Sequence, residues 1–177
     1  MEALARICGG CLQTPPYFHV TRSPYAYQAP ISHLITALKY QRRLSLVPVL
    51  AGALAEHIEN CSAVVDALLP VPLHTSKLRR RGFNQSLELA RPLARRFGIP
   101  ILHALQRHRA TPAQSSLHAD ERRHNVRHAF RIAQPFDHQR VAIVDDVMTT
   151  GSTVNEIARL LATAGAEEIQ VWCIARA

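Results

Sequence analysis

The chain has 177 residues, enough for one domain of ordinary size with a buried core. A hydrophobic fraction of 47% and a charged fraction of 19% exclude a disordered chain, and no apolar run approaches the roughly 18–20 residues of a membrane-spanning helix. The formal charge is +8, and of 21 basic residues only Lys39 and Lys77 are lysines, the rest being arginines whose planar fork suits phosphate and carboxylate. Such a surface is either a solvated basic face or a face for a polyanion such as a nucleotide, a diphosphate or nucleic acid, and charge alone does not choose between them.

The first residues, "MEALARICGG", lack the layout of a secretory signal, so the chain is expected in the cytoplasm. Residues 1–30 are rich in Pro, Gly, Tyr and Cys and predict an irregular arm with a short strand at "YAYQA". Apolar residues at Ile31, Leu34, Ile35 and Leu38, then Leu50, Leu54 and Ile58, have helical spacing. They predict two helices over 31–60, broken near Ser45–Pro48. "AVVDALLPVPL" (63–73) is β-branched, apolar and stopped by prolines, which predicts a buried strand feeding a loop. "RRRGFNQSLELARPLARRFG" predicts a turn and then a helix closed by Gly98. Residues 106–128 are polar and rich in Arg, His, Gln and Ser, the composition of a long mobile loop or hairpin. "RVAIVDD" is a strand, "TVNEIARLLATAGA" a helix ending at Gly165, and "EEIQVWCIARA" the last strand. Strand, helix and strand with short links make a right-handed parallel βαβ unit. Cys61 and Cys173 stand in apolar contexts and are expected as small core residues, with thiols reduced.

The stretch "VAIVDDVMTTGST" (141–153) carries the chemistry. Ligands of open parallel sheets bind beyond the carboxyl ends of strands. Backbone N–H groups and the hydroxyls of Thr149, Thr150, Ser152 and Thr153 can surround a phosphate there. Gly151 allows close approach, and the following helix adds its dipole. This is neither a P-loop nor a dinucleotide loop, because both glycine patterns are absent. Asp145 and Asp146, expected to face water at the strand end, can accept hydrogen bonds from a vicinal diol one sugar away from that phosphate. For any one of these residues, an ordinary strand end with capping threonines is the competing account.

The ordered string resembles the 5-phosphoribosyl 1-diphosphate (PRPP) motif of type I phosphoribosyltransferases: a hydrophobic run, two acids, two apolar residues, then T-T-G-[ST]-[ST]. "PVPLHTSKLRRRGFNQS" (70–86), "RATPAQSSLHADERRHNVRHAF" (109–130) and "LITALKYQRR" (34–43) are similar to the competence-protein-F-like (ComF/GntX) members, and the resemblance covers nearly the whole chain. It implies an α/β fold with a mainly parallel sheet flanked by helices and a small N-terminal hood and arm. The arm would be residues 1–30 and the transferase domain 31–177, with hood helices 31–60 and core 61–177. By position, Asp145 and Asp146 would hold the ribose hydroxyls, and Thr149, Thr150, Gly151, Ser152 and Thr153 the 5′-phosphate. The pyrophosphate would meet Val71, Pro72, Leu73, Arg79 and Arg81. Arg109 and Arg122, on a loop closing over PRPP, join Asp145 and Asp146 as catalytic residues. Lys39, Tyr40, Phe83, Asn84 and Gln85 would line the acceptor side.

The activity implied is Mg²⁺-dependent transfer of 5-phosphoribosyl from PRPP to a nucleobase-like acceptor, releasing pyrophosphate, with Asp145 as general base. A family link to competence and DNA uptake, single-stranded DNA or competence machinery as partners, and a homodimer are implied likewise. The alternatives are a non-catalytic nucleotide or single-stranded DNA module and a PRPP sensor on the same fold. Longer members begin with paired C-x-x-C motifs of a zinc ribbon; Cys8 and Cys11 form one such pair, half of the four ligands a structural zinc needs.

Overall fold

In the computed structural model the described residues are 9–109, 128–134, 137 and 139–177. In chain order they form α1 (Gly9–Gln13), β1 (Val20–Arg22), β2 (Tyr25–Ala26), α2 (Ile31–Gln41), a 3₁₀ turn (Leu44–Leu46), α3 (Val47–Asn60), β3 (Ala67–Pro70), α4 (Thr75–Arg81), α5 (Gln85–Phe97), β4 (Leu105–Arg107), β5 (Phe130–Ile132), β6 (Arg140–Met148), α6 (Ser152–Thr163) and β7 (Glu168–Arg176).

The main sheet is parallel in every pairing, with β7 between β6 and the short strands β1 and β2, and β3 on the far side of β6. All-parallel sheets need both faces covered, and the alternation along the strands supplies two apolar faces. Val141, Ile143, Val171 and Cys173 pack with Val154, Ile157 and Leu161 of α6. Leu68, Ala142, Val144 and Trp172 pack with Ile35 and Leu38 of α2, Leu50, Leu54 and Ile58 of α3, and Leu89 and Leu93 of α5. Each fully buried leucine or isoleucine in these layers contributes roughly 1.5–3 kcal/mol. Buried polar groups are met locally: Trp172 Nε1–H donates to Gln170 Oε1 at 2.9 Å, and the Trp172 ring meets Phe97 edge-on at 5.8 Å.

Several expectations change. β2 falls in the stretch where a short strand was expected, and β1, not expected, joins it on β7. The apolar stripes of the helices over 31–60 share one cluster with the sheet. The segment before Gly82, expected as a turn, is the helix α4, held by His74, whose Nδ1 accepts from the Ser76 amide, and by Gly82 in the left-handed region at φ 86°. Of the stretch 106–128, Gln106 and Arg107 lie in β4, which pairs antiparallel with β5, and residues 110–127 lie outside the described residues. Cys173 is fully buried, and burial pushes its thiol up to about 12; Cys61 is half-buried. No helix among the described residues is long and apolar enough to cross a membrane.

The topology positions the site. β3 and β6 are neighbours with Pro70 opposite Val144, so the loop after β3 emerges beside Asp145. α5 begins there too. Asn84 caps it, accepting from the Ser86 amide at 3.1 Å, while its own Nδ2 donates to the Val71 carbonyl at 3.0 Å. Asn84→Ala removes the cap and the tie to β3 together, and urea unfolding is expected to show a loss of about 1–2 kcal/mol.

Candidate functional site

β6 does not stop at the acids. It runs through Asp145 and Asp146 to Met148, and Asp146 is only 3% exposed. The expectation that both carboxylates face water is therefore corrected for Asp146, while Asp145 is half-buried at an open cavity. A buried carboxylate stays ionised only with partners, and both have them. Ser86 Oγ–H and the Asp146 amide each donate to Asp145 Oδ1 at 2.9 Å. Asp146 is turned toward the helices: Oδ2 pairs with the Lys39 ammonium, and Oδ1 lies 3.5 Å from Gln85 Nε2. Burial, then the neighbouring Asp146 carboxylate, pushes the Asp145 carboxyl up to about 7 against the pull of Lys39. Burial works against the Lys39 ammonium, but Asp146 outweighs it and its pKa is raised.

Asp145 lines a small open cavity with Val147, Met148, Thr149, Thr150, Gly151, Ser152, Thr153 and Val154. Gly151 sits at φ 75° at the start of α6, where a side chain would be strained and its Cβ would come within 2.9 Å of Met148 Cε. The Thr150 and Ser152 hydroxyls are 2.9 Å apart across the turn. Hydroxyls, backbone amides and the N-terminal end of a twelve-residue helix thus converge on one concavity, a geometry that favours a phosphate.

A basic group stands beside it. Lys77 on α4 is half-buried and its pKa is lowered, first by burial and then by the charges of Arg107, Arg81 and Arg80. Arg107 on β4 is lowered by burial while Asp145 opposes the shift, and its guanidinium lies 5.3 Å from the centre of the Phe130 ring. Cations held within reach of one another at this cost are relieved by a polyanion. Arg81 Nη1 donates to Gln85 Oε1 and its guanidinium lies over the Tyr40 ring at 5.7 Å; Arg42 Nη2 donates to the Arg80 carbonyl at 3.1 Å.

Of the remaining expected residues, Val71 is a core residue whose amide donates to the Val144 carbonyl at 3.0 Å, and Pro72 has no N–H, so Leu73 is left to supply an amide from that loop. Arg79 is exposed in the last turn of α4. Phe83 packs against the helical core cluster, and Asn84 and Gln85 brace the strand ends. Lys39 belongs to Asp146. Tyr40 is 71% exposed. Arg109 is exposed just past β4; Arg122 and Cys8 lie outside the described residues, and Cys11 is on α1. Among the described residues no group of three or more His, Cys, Asp or Glu side chains could hold a metal ion.

Residues that sequence reasoning left out of the site are Ser86, Lys77 and Arg42. Lys77 carried a signal, being one of two lysines in an arginine-rich chain and two residues before the arginine run. Ser86 carried none, because a serine at a helix start is ordinary.

The model of the phosphoribosyl transferase domain matches residues 84–177. DNA utilization protein YhgH of Salmonella typhi is 41% identical over 175 residues, covering 96% of this chain and 77% of that one. Competence protein F of Haemophilus influenzae is 38% identical over 186 residues, covering all of this chain and 81% of that one. A solved glutamine phosphoribosylpyrophosphate amidotransferase from B. subtilis superposes on 72% of this chain and 26% of its own, with 25% identity and a TM-score of 0.48.

Proposed function

This chain belongs to the phosphoribosyl transferase domain family, with DNA utilization protein YhgH and competence protein F among its relatives, and from that premise we propose that it binds PRPP and transfers its 5-phosphoribosyl group to a nucleobase-like acceptor. The observation that carries the proposal is the single edge where a hydroxyl-lined cavity, Asp145 and a cluster of self-repelling cations meet. The 5′-phosphate takes the turn of Thr149, Thr150, Gly151, Ser152 and Thr153 at the start of α6. The ribose hydroxyls donate to Asp145, and to Asp146 beside Lys39. The diphosphate takes Lys77, Arg79, Arg81 and Arg107, with Leu73 below it. Tyr40 is the stacking surface for the acceptor.

The acceptor nitrogen's lone pair forms the bond to the anomeric carbon as the bond from that carbon to the diphosphate oxygen breaks. Pyrophosphate leaves with that electron pair. The cation cluster stabilises the charge growing on it. Asp145, with a carboxyl poised near 7, accepts the proton from the acceptor nitrogen. The acids offer one cavity-facing carboxylate and one already paired, which fits a Mg²⁺ that arrives on the diphosphate and keeps its waters more than a resident ion. Bound there, beside Asp145, it would supply further neutralisation of the leaving group.

A second reading, single-stranded DNA binding without turnover, is favoured by the exposed Tyr40 over Arg81 beside Arg79 and Arg80, an aromatic on a basic rim, and by the names of the relatives. Pyrophosphate release from PRPP and Mg²⁺ across a panel of bases, run beside a salt titration of single-stranded DNA binding, decides between them. The transferase account expects release with one base. Steep salt-dependent DNA binding with no release from any base overturns it.

A further inference from the structure

The chain has two lysines, and they stand in opposite surroundings. The Lys39 ammonium is paired with the Asp146 carboxylate. Lys77, near the start of α4, has no carboxylate partner among the described residues. Residues three and four apart share a helix face, so Arg80 and Arg81 stand on the same side of α4 as Lys77. Arg107 acts on it from β4, and Arg42 joins the group by donating to the Arg80 carbonyl at 3.1 Å. The Lys77 side chain is half-buried against these cations, with part of it open to solvent.

Burial first, and then the charges of Arg107, Arg81 and Arg80, lower the pKa of Lys77. The free amine carries the lone pair that makes lysine a nucleophile, and desolvation and a neighbouring cation are the two means by which such amines are activated. The same cations gather oxyanions. An electrophile suited to this place carries an anion next to its reactive carbon, as an acyl phosphate does. We propose that Lys77 is an acylation site for acyl phosphates, which Arg80, Arg81 and Arg107 seat by the phosphate group. The Nζ lone pair forms a bond to the carbonyl carbon, and the bond from that carbon to the phosphate oxygen breaks. Inorganic phosphate leaves with that electron pair, and the nitrogen gives up a proton to water. The product is a neutral amide, so the cluster loses a positive charge. On the reading of the cluster as a diphosphate site, on which this consequence alone rests, acylation weakens PRPP binding.

The test treats the wild-type protein with acetyl phosphate and, separately, with acetic anhydride, which delivers the same acyl group without a charge. Peptide mass spectrometry follows Lys77 and Lys39 in the same molecule. With acetyl phosphate, Lys77 is expected to react at least about tenfold faster than Lys39, and with acetic anhydride this preference is expected to fall at least about threefold. Lys77 reacting no faster than Lys39 with acetyl phosphate overturns the proposal. So does an equal preference with both reagents, which would mean an accessible amine and no seat for the anion. Calorimetry of PRPP with Mg²⁺ on protein acylated at Lys77 tests the consequence separately, with an expected loss in affinity of about tenfold. Unchanged affinity would remove Lys77 from the diphosphate site and leave the acylation site standing.

Discussion

Replacing Asp145 by asparagine is expected to stabilise the protein at pH 8 while the same change at Asp146 destabilises it. The Asp145 carboxyl ionises near 7 in the fold instead of near 3.8, with burial the larger cause and the Asp146 carboxylate the next. A carboxyl that holds its proton more tightly folded than unfolded costs stability once it must ionise. Stability therefore falls as pH rises from the unfolded value through the folded one, and levels off above it. Asparagine keeps an Oδ1 for Ser86 and the Asp146 amide and drops the charge. The expected gain is about 2 kcal/mol at pH 8, less than half of that at pH 5, and near zero only below the unfolded value near 3.8. Asparagine at 146 instead leaves the Lys39 ammonium beside a neutral amide in a site that is largely dry. Breaking a buried pair from one side is costly, and with Lys39 one-fifth exposed the expected loss is about 2 kcal/mol. Urea unfolding of both variants at pH 5 and pH 8 reads the two signs. Equal signs at pH 8 would contradict the division of labour between the acids.

The largest effect on binding is expected from the cation cluster. Lys77→Met and Arg107→Met together roughly keep side-chain volume and remove two charges from the cation cluster, Arg107 being the one that acts on Asp145. PRPP and ribose 5-phosphate share the sugar and the 5′-phosphate, and only PRPP carries the diphosphate. The double variant should lose about 100-fold in PRPP affinity, since charge-assisted contacts contribute about 1.5 kcal/mol or more each, and stay within about threefold for ribose 5-phosphate. Equal losses for both ligands would mean that these residues support the fold and not the diphosphate.

Much of the site was legible in "VAIVDDVMTTGST", because strand period, turn glycine and hydroxyl run are local and adjacent in sequence. The cavity around Gly151 follows from that order. What the acids touch was not legible. Lys39 and Ser86 reach them across 107 and 59 positions, and neither residue type at a helix end signals such a partner. α4 escaped because it has no buried residue and hence no apolar stripe, its ends being set by His74 and Gly82. β2 falls in the stretch "YAYQA" where a short strand was expected, whereas β1 escaped because three residues are too few to show a period of two, and the place of both is set by β7. The helices over 31–60 were visible as helices from their spacing, but that the same stripe covers the sheet is a property of the packed layers.

The site assignment is tested most directly by calorimetry of PRPP in Mg²⁺ at pH 8 with the wild type and Asp145→Asn. The wild type is predicted to bind one PRPP per chain. Asp145→Asn, although the more stable protein, is predicted to give no binding heat at the same concentrations, so that the loss cannot come from unfolding. PRPP binding of equal strength by both proteins would contradict the account.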